Sequence, residues 1–355
     1  MKRSQNSGNN SISVISDGHV NIHTGVSVSD VKEICRDLMK ETLSGFSQEA
    51  QKEAERRNEK IIEDFIERAE ALFGDKVEEK LSSFKDPGAQ YAFRHAQTGY
   101  CRYGDSESKD DAIEIILSRI SENNDHAINV IFDEAIERSA KINSRHADIL
   151  TIIFAAFRIS YGHINNIAAL NSYISMVEKL SSTLPARNSD MSILSMNGLI
   201  EVMPNTQHWV SFERMLLNEY WGLFIKGFSV SEIEADFDFN DRDLIIPCLR
   251  DASKLQPNHV KRQGWRNKLT SRGRSEVYAD ELCAKMDSFL MSEEEISRLL
   301  DDKWPMLSRL RGAISDEMSS FRYSTVTSVG SIIAYVRAKR SGFQLGEDVR
   351  RYIDL

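Results

Sequence analysis

The sequence predicts a mainly α fold: a multi-helix body preceded by a short N-terminal β-hairpin or β-arch. Three observations carry this. Apolar residues recur at helical spacing along most of the chain, only 6 prolines interrupt it, and the one convincing run of period-two alternation lies before residue 26. The chain has 355 residues, 41% of them hydrophobic, which suffices for a sizeable core. No apolar run approaches the length needed to span a bilayer, so no membrane span is expected. The opening residues Met1 to Gly8 lack an apolar segment, so no secretory signal is expected and the chain reads as cytoplasmic.

The first element is the N-terminal segment. Residues 4–11 are polar. Ile12 and Val14 then share one strand face, Val20 and Ile22 share another, and Asp17-Gly18 separates the pairs. Alternation split by Asp-Gly is a hairpin signal. Two strands this short cannot bury an apolar face alone. The segment is either a solvated polar tail or a β-element that packs on the body or on other copies of itself. Ile12, Val14, Val20 and Ile22 are the candidate oligomerisation residues, which makes a homo-oligomer the expected partner state.

A helix is expected from about Ser27, with Asp30 and Glu33 as a cap pair and Val31, Ile34, Cys35 and Leu38 on its apolar side. Residues 47–60 favour helix but lack large apolar residues, so they read as a solvated stretch or bridge. Apolar periodicity resumes at Ile61 and fades near Phe84, and Asp86-Pro87-Gly88 reads as a breaker. Ser108 with Asp111 looks like a helix start. Residues 149–159 are apolar nearly all round, the mark of a buried central helix. Leu184-Pro185 closes this block.

Beyond it, Phe212, Met215, Leu216, Tyr220 and Leu223 form one stripe. Ser229 with Glu232 and Ser292 with Glu295 fit capping boxes. Residues 325–340 make a last helix that ends on Arg337, Lys339 and Arg340, with Gly342 beyond. The domain reading is a β-forming oligomerisation segment at 1–26 and helical subdomains at 27–185 and 186–355. No repeat of 20 to 50 residues is evident, so a solenoid is not supported.

Few motifs carry chemistry. Asp236, Asp238 and Asn240 mimic the start of a calcium loop, but Asp241 replaces the required glycine and Pro247 the closing glutamate, so an acidic loop is favoured. The 8 histidines lack metal-ligand spacing. His19 and His23 would share a strand face and could cluster in an assembled β-element, and His163 reads as a core or loop residue. Cys101 has Arg102 beside it, but no base can be placed against it, so a structural thiol is favoured. The four cysteines (Cys35, Cys101, Cys248, Cys283) are too far apart for a zinc site and suit a reducing compartment. The sequence points to no catalytic residue, metal or cofactor.

The segment 259–274 is the most distinctive. Lys261, Arg262, Arg266, Lys268, Arg272 and Arg274 are basic, no acid intervenes, and Trp265 lies among them. Cations with an aromatic ring could hold phosphates and stack on a base, the pattern of an anion or nucleic-acid site. Pairing with an acidic neighbouring subunit and a plain solvated loop are the alternatives. A net charge of -9 makes any nucleic-acid role local.

Three stretches resemble an uncharacterised family of bacterial proteins: Ser7 to Ile22 running into Val28 to Ile34, the run Tyr220 to Phe228 (YWGLFIKGF), and Thr325 to Tyr335. The resemblance implies an Asn/Gly-rich β-repeat before an all-α body, a cytoplasmic setting, and relatives among accessory and phage-defence genes. It brings no catalytic residues. The functional expectation is a non-enzymatic, self-associating interaction protein of bacterial anti-phage defence. The alternative is a nucleic-acid or nucleotide-binding protein using segment 259–274.

Overall fold

A computed structural model describes residues 26–45, 47–121, 126–158, 164–203, 210–233, 239–346 and 348–353. Ile12, Val14, Val20, Ile22, His19, His23, His163, Asp236 and Asp238 lie outside these residues. The described chain is mainly helical, as expected.

The first half is a packed set of helices. α1 (Val28–Asp37) starts on Ser27: its hydroxyl accepts from the Asp30 amide (3.1 Å), and the Asp30 carboxylate accepts from the Ser27 amide (2.9 Å). Asp30 is therefore the far half of the box, not its cap, because the β-region backbone that a cap requires falls at Ser27. The short α2 (Lys40–Leu43) leads to α3 (Gln48–Phe73), one helix of 26 residues. The stretch at 47–60 does have an inner side, formed by the small Ala54 and by Asn58 rather than by large apolar residues. α4 (Val77–Leu81) precedes α5 (Pro87–Tyr103). Asp86-Pro87-Gly88 opens α5: Asp86 accepts from the Gly88 amide, and Pro87 occupies the first turn, where no amide hydrogen is needed.

α6 (Ser106–Ser121) begins ahead of Ser108, since Asp105 accepts from the amides of Glu107 and Ser108. α7 (His126–Ser139) and α8 (Ser144–Ile153) follow, and a π-helical turn at Phe154–Arg158 extends α8. From Ile149 to Ala155 this run is fully buried, as its composition requires.

The second half comprises α9 (Ile167–Ser181), α10 (Asn188–Met196), strand β1 (Ile200–Val202) and α11 (Phe212–Glu219). Strands β2 (Ile245–Pro247) and β3 (Leu255–Pro257) come next. They are followed by α12 (Arg262–Ser271), α13 (Glu276–Asp287), α14 (Glu293–Lys303) and α15 (Leu307–Ser315), then strand β4 (Ser324–Val326) and α16 (Ser328–Arg340). β1 pairs antiparallel with β4 and β2 with β3. Three residues are too few to register as alternation, so neither pair is visible in the sequence. Val326, expected in the last helix, lies in β4, and Thr327 caps α16 by accepting from the Gly330 amide.

Two main cores hold the fold, beside a small third cluster of Met39, Leu43, Ala54 and Cys101. The larger runs from Val26 to Ile353; Leu180, Leu184, Met191 and Leu194 all contribute, so both sides of residue 185 share it. The smaller is built from Trp221, Ile225, Phe228, Leu244, Ile245, Trp265, Leu269, Leu282, Cys283 and Met286. α16 is also clamped by charge. Arg337 meets Glu107 (2.7 Å), Asp111 (3.4 Å) and Asp148 (2.9 Å), and Arg340 meets Asp110 (3.1 Å) and Asp111. Among the described residues no helix is long and apolar enough to cross a membrane.

Candidate binding site between the two cores

The turn at residues 220–228 joins the cores. A 3-10 helix, Trp221–Phe224, divides its side chains between the two. Tyr220, Leu223 and Phe224 enter the larger core, while Trp221, Ile225 and Phe228 enter the smaller. Gly222 sits where backbones touch. Its amide donates to the Val260 carbonyl (2.8 Å), and its carbonyl accepts from Gln256 Nε2 (3.1 Å). A Cβ there would lie 2.1 Å from the His259 carbonyl oxygen, so no larger residue fits without movement.

Beside this turn is a pocket of about 420 Å3. Tyr220, Leu223, Ile246, Leu249, Pro257 and Val260 provide its apolar walls, and Asn165, Glu219, Gln256, Asn258, His259 and Lys261 its polar groups. The size and the mostly apolar lining suit a small organic ligand or a partner's side chain. The polar groups are held in place. Gln256 is buried and also accepts from the Leu249 amide (2.8 Å). Lys261 Nζ lies 2.6 Å from Glu219. His259 Nδ1 accepts from the Lys261 amide (3.0 Å), which leaves the proton of the neutral ring on Nε2. Burial lowers the His259 pKa and favours that neutral ring. The ring packs on α12 at Gly264, where a Cβ would lie 1.9 Å from Cε1. A second, more open cleft of about 800 Å3 lies along Arg214, Trp221, Lys226, Arg262, Asp287 and Glu293.

Segment 259–274 forms α12 and its flanks, and its cations meet acids of this same chain. Arg262 pairs with Asp287 (3.0 Å), Arg266 with Asp280 (2.6 Å) and Glu276 (3.4 Å), and Arg272 with Asp241 (3.2 Å) and Asp243 (2.7 Å). The Asp280 carboxylate raises the Arg266 pKa, and Arg266 in turn lowers that of Asp280. Lys268 donates to the carbonyls of Asp243 and Asn258, and the Arg274 guanidinium lies 5.5 Å from the Tyr278 ring centre. Trp265 is fully buried in the smaller core and donates to the Leu244 carbonyl (2.9 Å), so its ring has no face open for stacking on a base. Of the seven candidate residues, Lys261 lines the pocket beside the turn and Arg262 the more open cleft.

The cysteines are buried. Burial pushes the thiols of Cys101 and Cys283 up to about 11 and raises that of Cys35 further. Cys101 donates to the Ala54 carbonyl, and the cation that reaches its neighbourhood is Arg57, not Arg102. Among the described residues no cluster of His, Cys, Asp or Glu could hold a metal ion.

The pocket residues Gly222, Gln256 and Asn258 do not stand out in the sequence by their own chemistry. Gly222 does carry a signal: it is the small residue within the bulky run YWGLF. The fold and this site define a mainly helical protein with a pocket walled by residues of the larger core and by the segment 246–261. A protein-family model described only as ":-like" matches residues 25–346, and the chain belongs to that family, an uncharacterised one. No curated protein matches the chain. No solved structure matches it.

Proposed function

We propose that the protein is a non-enzymatic, self-associating interaction protein of bacterial anti-phage defence, acting in the cytoplasm. The observation that carries this reading is the alternation of Ile12, Val14, Val20 and Ile22 about Asp17-Gly18, ahead of a body with two cores of its own. In this reading residues 11–25 of neighbouring copies pair edge to edge, because strands that short gain stability only by joining others. The pocket beside the 220–228 turn supports the binding part: its polar groups are held by backbone hydrogen bonds and the Lys261–Glu219 pair, and its walls offer apolar contact. Segment 259–274 acts as bracing, since its arginines are paired within the chain.

Light scattering on the full chain and on a form lacking residues 1–25 tests the proposal. The full chain should be oligomeric and the shortened form smaller. A monomeric full chain, or an oligomer unchanged by the deletion, overturns it. Phage plating on cells with and without the gene tests the defence setting, with reduced plating expected where the full chain is present.

A further inference from the structure

The lining of the pocket beside Gly222 leaves no charge without its opposite. Its two ions, Glu219 and Lys261, meet at 2.6 Å, and burial favours the neutral His259 ring. Gln256 is spent at both ends: Nε2 donates to the Gly222 carbonyl (3.1 Å) and Oε1 accepts from the Leu249 amide (2.8 Å). Two neighbouring side chains are only half spent. Asn258 Nδ2 donates to the Arg242 carbonyl (2.7 Å), which orients the amide and leaves Oδ1 an acceptor with no protein partner among the described residues. His259 Nδ1 accepts from the Lys261 amide (3.0 Å), which leaves Nε2–H a donor, likewise without a partner among them. Neither atom is sealed inside the protein. Leu223, Ile246, Leu249, Pro257 and Val260 wall the space, and Asn165 stands exposed at its rim.

We infer that this pocket binds an uncharged ring of nucleobase type, in the form of a free nucleoside: a ring-edge N–H donates to Asn258 Oδ1, an adjacent acceptor on that edge receives His259 Nε2–H, and the apolar walls cover the ring faces. Three features select this occupant. With the lining's charges already matched, a charged ligand would give up hydration and gain no counter-ion. An acceptor and a donor on consecutive residues ask for a donor and an acceptor side by side, which is what the edge of a base presents to a protein. A volume of about 420 Å3 with a mostly apolar lining has the size and character of a small-molecule site. The inference rests on the reading of this pocket as the binding site, and not on self-association through residues 1–25.

The test is isothermal titration calorimetry of the full chain with uridine, cytidine and adenosine. At least one should bind saturably, as a single molecule per chain. Its monophosphate should bind no tighter, because the lining cation is already matched by Glu219. The analogue methylated at the edge N–H, which is 3-methyluridine in the case of uridine, should bind at least about tenfold more weakly, since Asn258 Oδ1 then loses its donor. Leu249→Trp enlarges a wall residue that is 41% exposed, so the variant should keep its helical circular dichroism and lose binding. His259→Phe removes the donor and should weaken binding at least about tenfold, with a thermal melt reporting the fold. Binding by none of the three nucleosides, equal affinity for the methylated analogue, tighter binding of the monophosphate, or binding that Leu249→Trp leaves intact overturns the inference. Oligomer mass takes no part in these outcomes, so a failed titration and an oligomer unchanged by deleting residues 1–25 are separate results.

Discussion

Arg337 on α16 and Asp111 on α6 meet at 3.4 Å across 226 residues of sequence. Both are buried, and Asp111 also receives Arg340. Burial makes this contact asymmetric: the pair is tolerable together, but either ion alone is costly. Arg337→Ala leaves Asp148 without its arginine and Asp111 with Arg340 alone, and should destabilise the protein by ~1–3 kcal/mol. Urea unfolding measures it, and a midpoint equal to that of the unaltered chain would refute the clamp.

The same site fixes a pH dependence. Burial pushes the Asp111 carboxyl up to about 6, against the pull of Arg337 and Arg340. A folded-state pKa above the unfolded value means that the native state holds a proton the unfolded chain has released. This group therefore contributes stability at low pH, and that contribution is lost as pH rises from about 4 towards 6. Asp111→Asn removes it. Thermal melts of the unaltered chain and the variant should diverge across that window and run parallel above it; parallel curves throughout would contradict the assignment.

Trp265 anchors the smaller core. Trp265→Ala should cost ~3–5 kcal/mol through the cavity it leaves. Chemical denaturation checks this. A loss within experimental error would mean that the ring is not part of the packing.

Gly222→Ala drives a methyl group into the His259 carbonyl, with only backbone nearby to yield. The expected loss is about 1–3 kcal/mol. Gly312→Ala is the control, since a Cβ at that position would meet nothing within 4 Å. Equal melting points for the two variants would count against the close approach.

The thiols give a chemical check. With Cys101 and Cys283 pushed up to about 11 and Cys35 higher, they stay protonated and enclosed near neutral pH. Iodoacetamide should leave the native protein unlabelled at these residues and modify them after unfolding in urea. Mass spectrometry reads the result, and rapid native labelling of Cys101 would revive a reactive role for it.

The helices are legible in the sequence where side-chain size encodes burial. The run from Ile149 to Ala155 is apolar all round because it is enclosed all round. Ser292 with Glu295 forms the reciprocal cap that the spacing implies, since a cap is made within four residues. Segment 259–274 shows the limit. Its cations are local, but the acids that hold them (Asp241, Asp243, Asp280 and Asp287) lie outside the segment. Trp265 reads as a stacking ring in the sequence because nothing nearby reveals that α13 and β2 close over it. The pocket beside the 220–228 turn is equally hidden. It is assembled from residues 164–165, 219–223 and 246–261, and only the fold brings those stretches together.

Tyr220 and Trp221 are consecutive, yet each is committed to a different core. Loosening one half therefore tugs directly on the other through a single peptide link. The two halves should come apart together on heating, as one sharp calorimetric peak, and a molecule lodged beside that link would steady both at once.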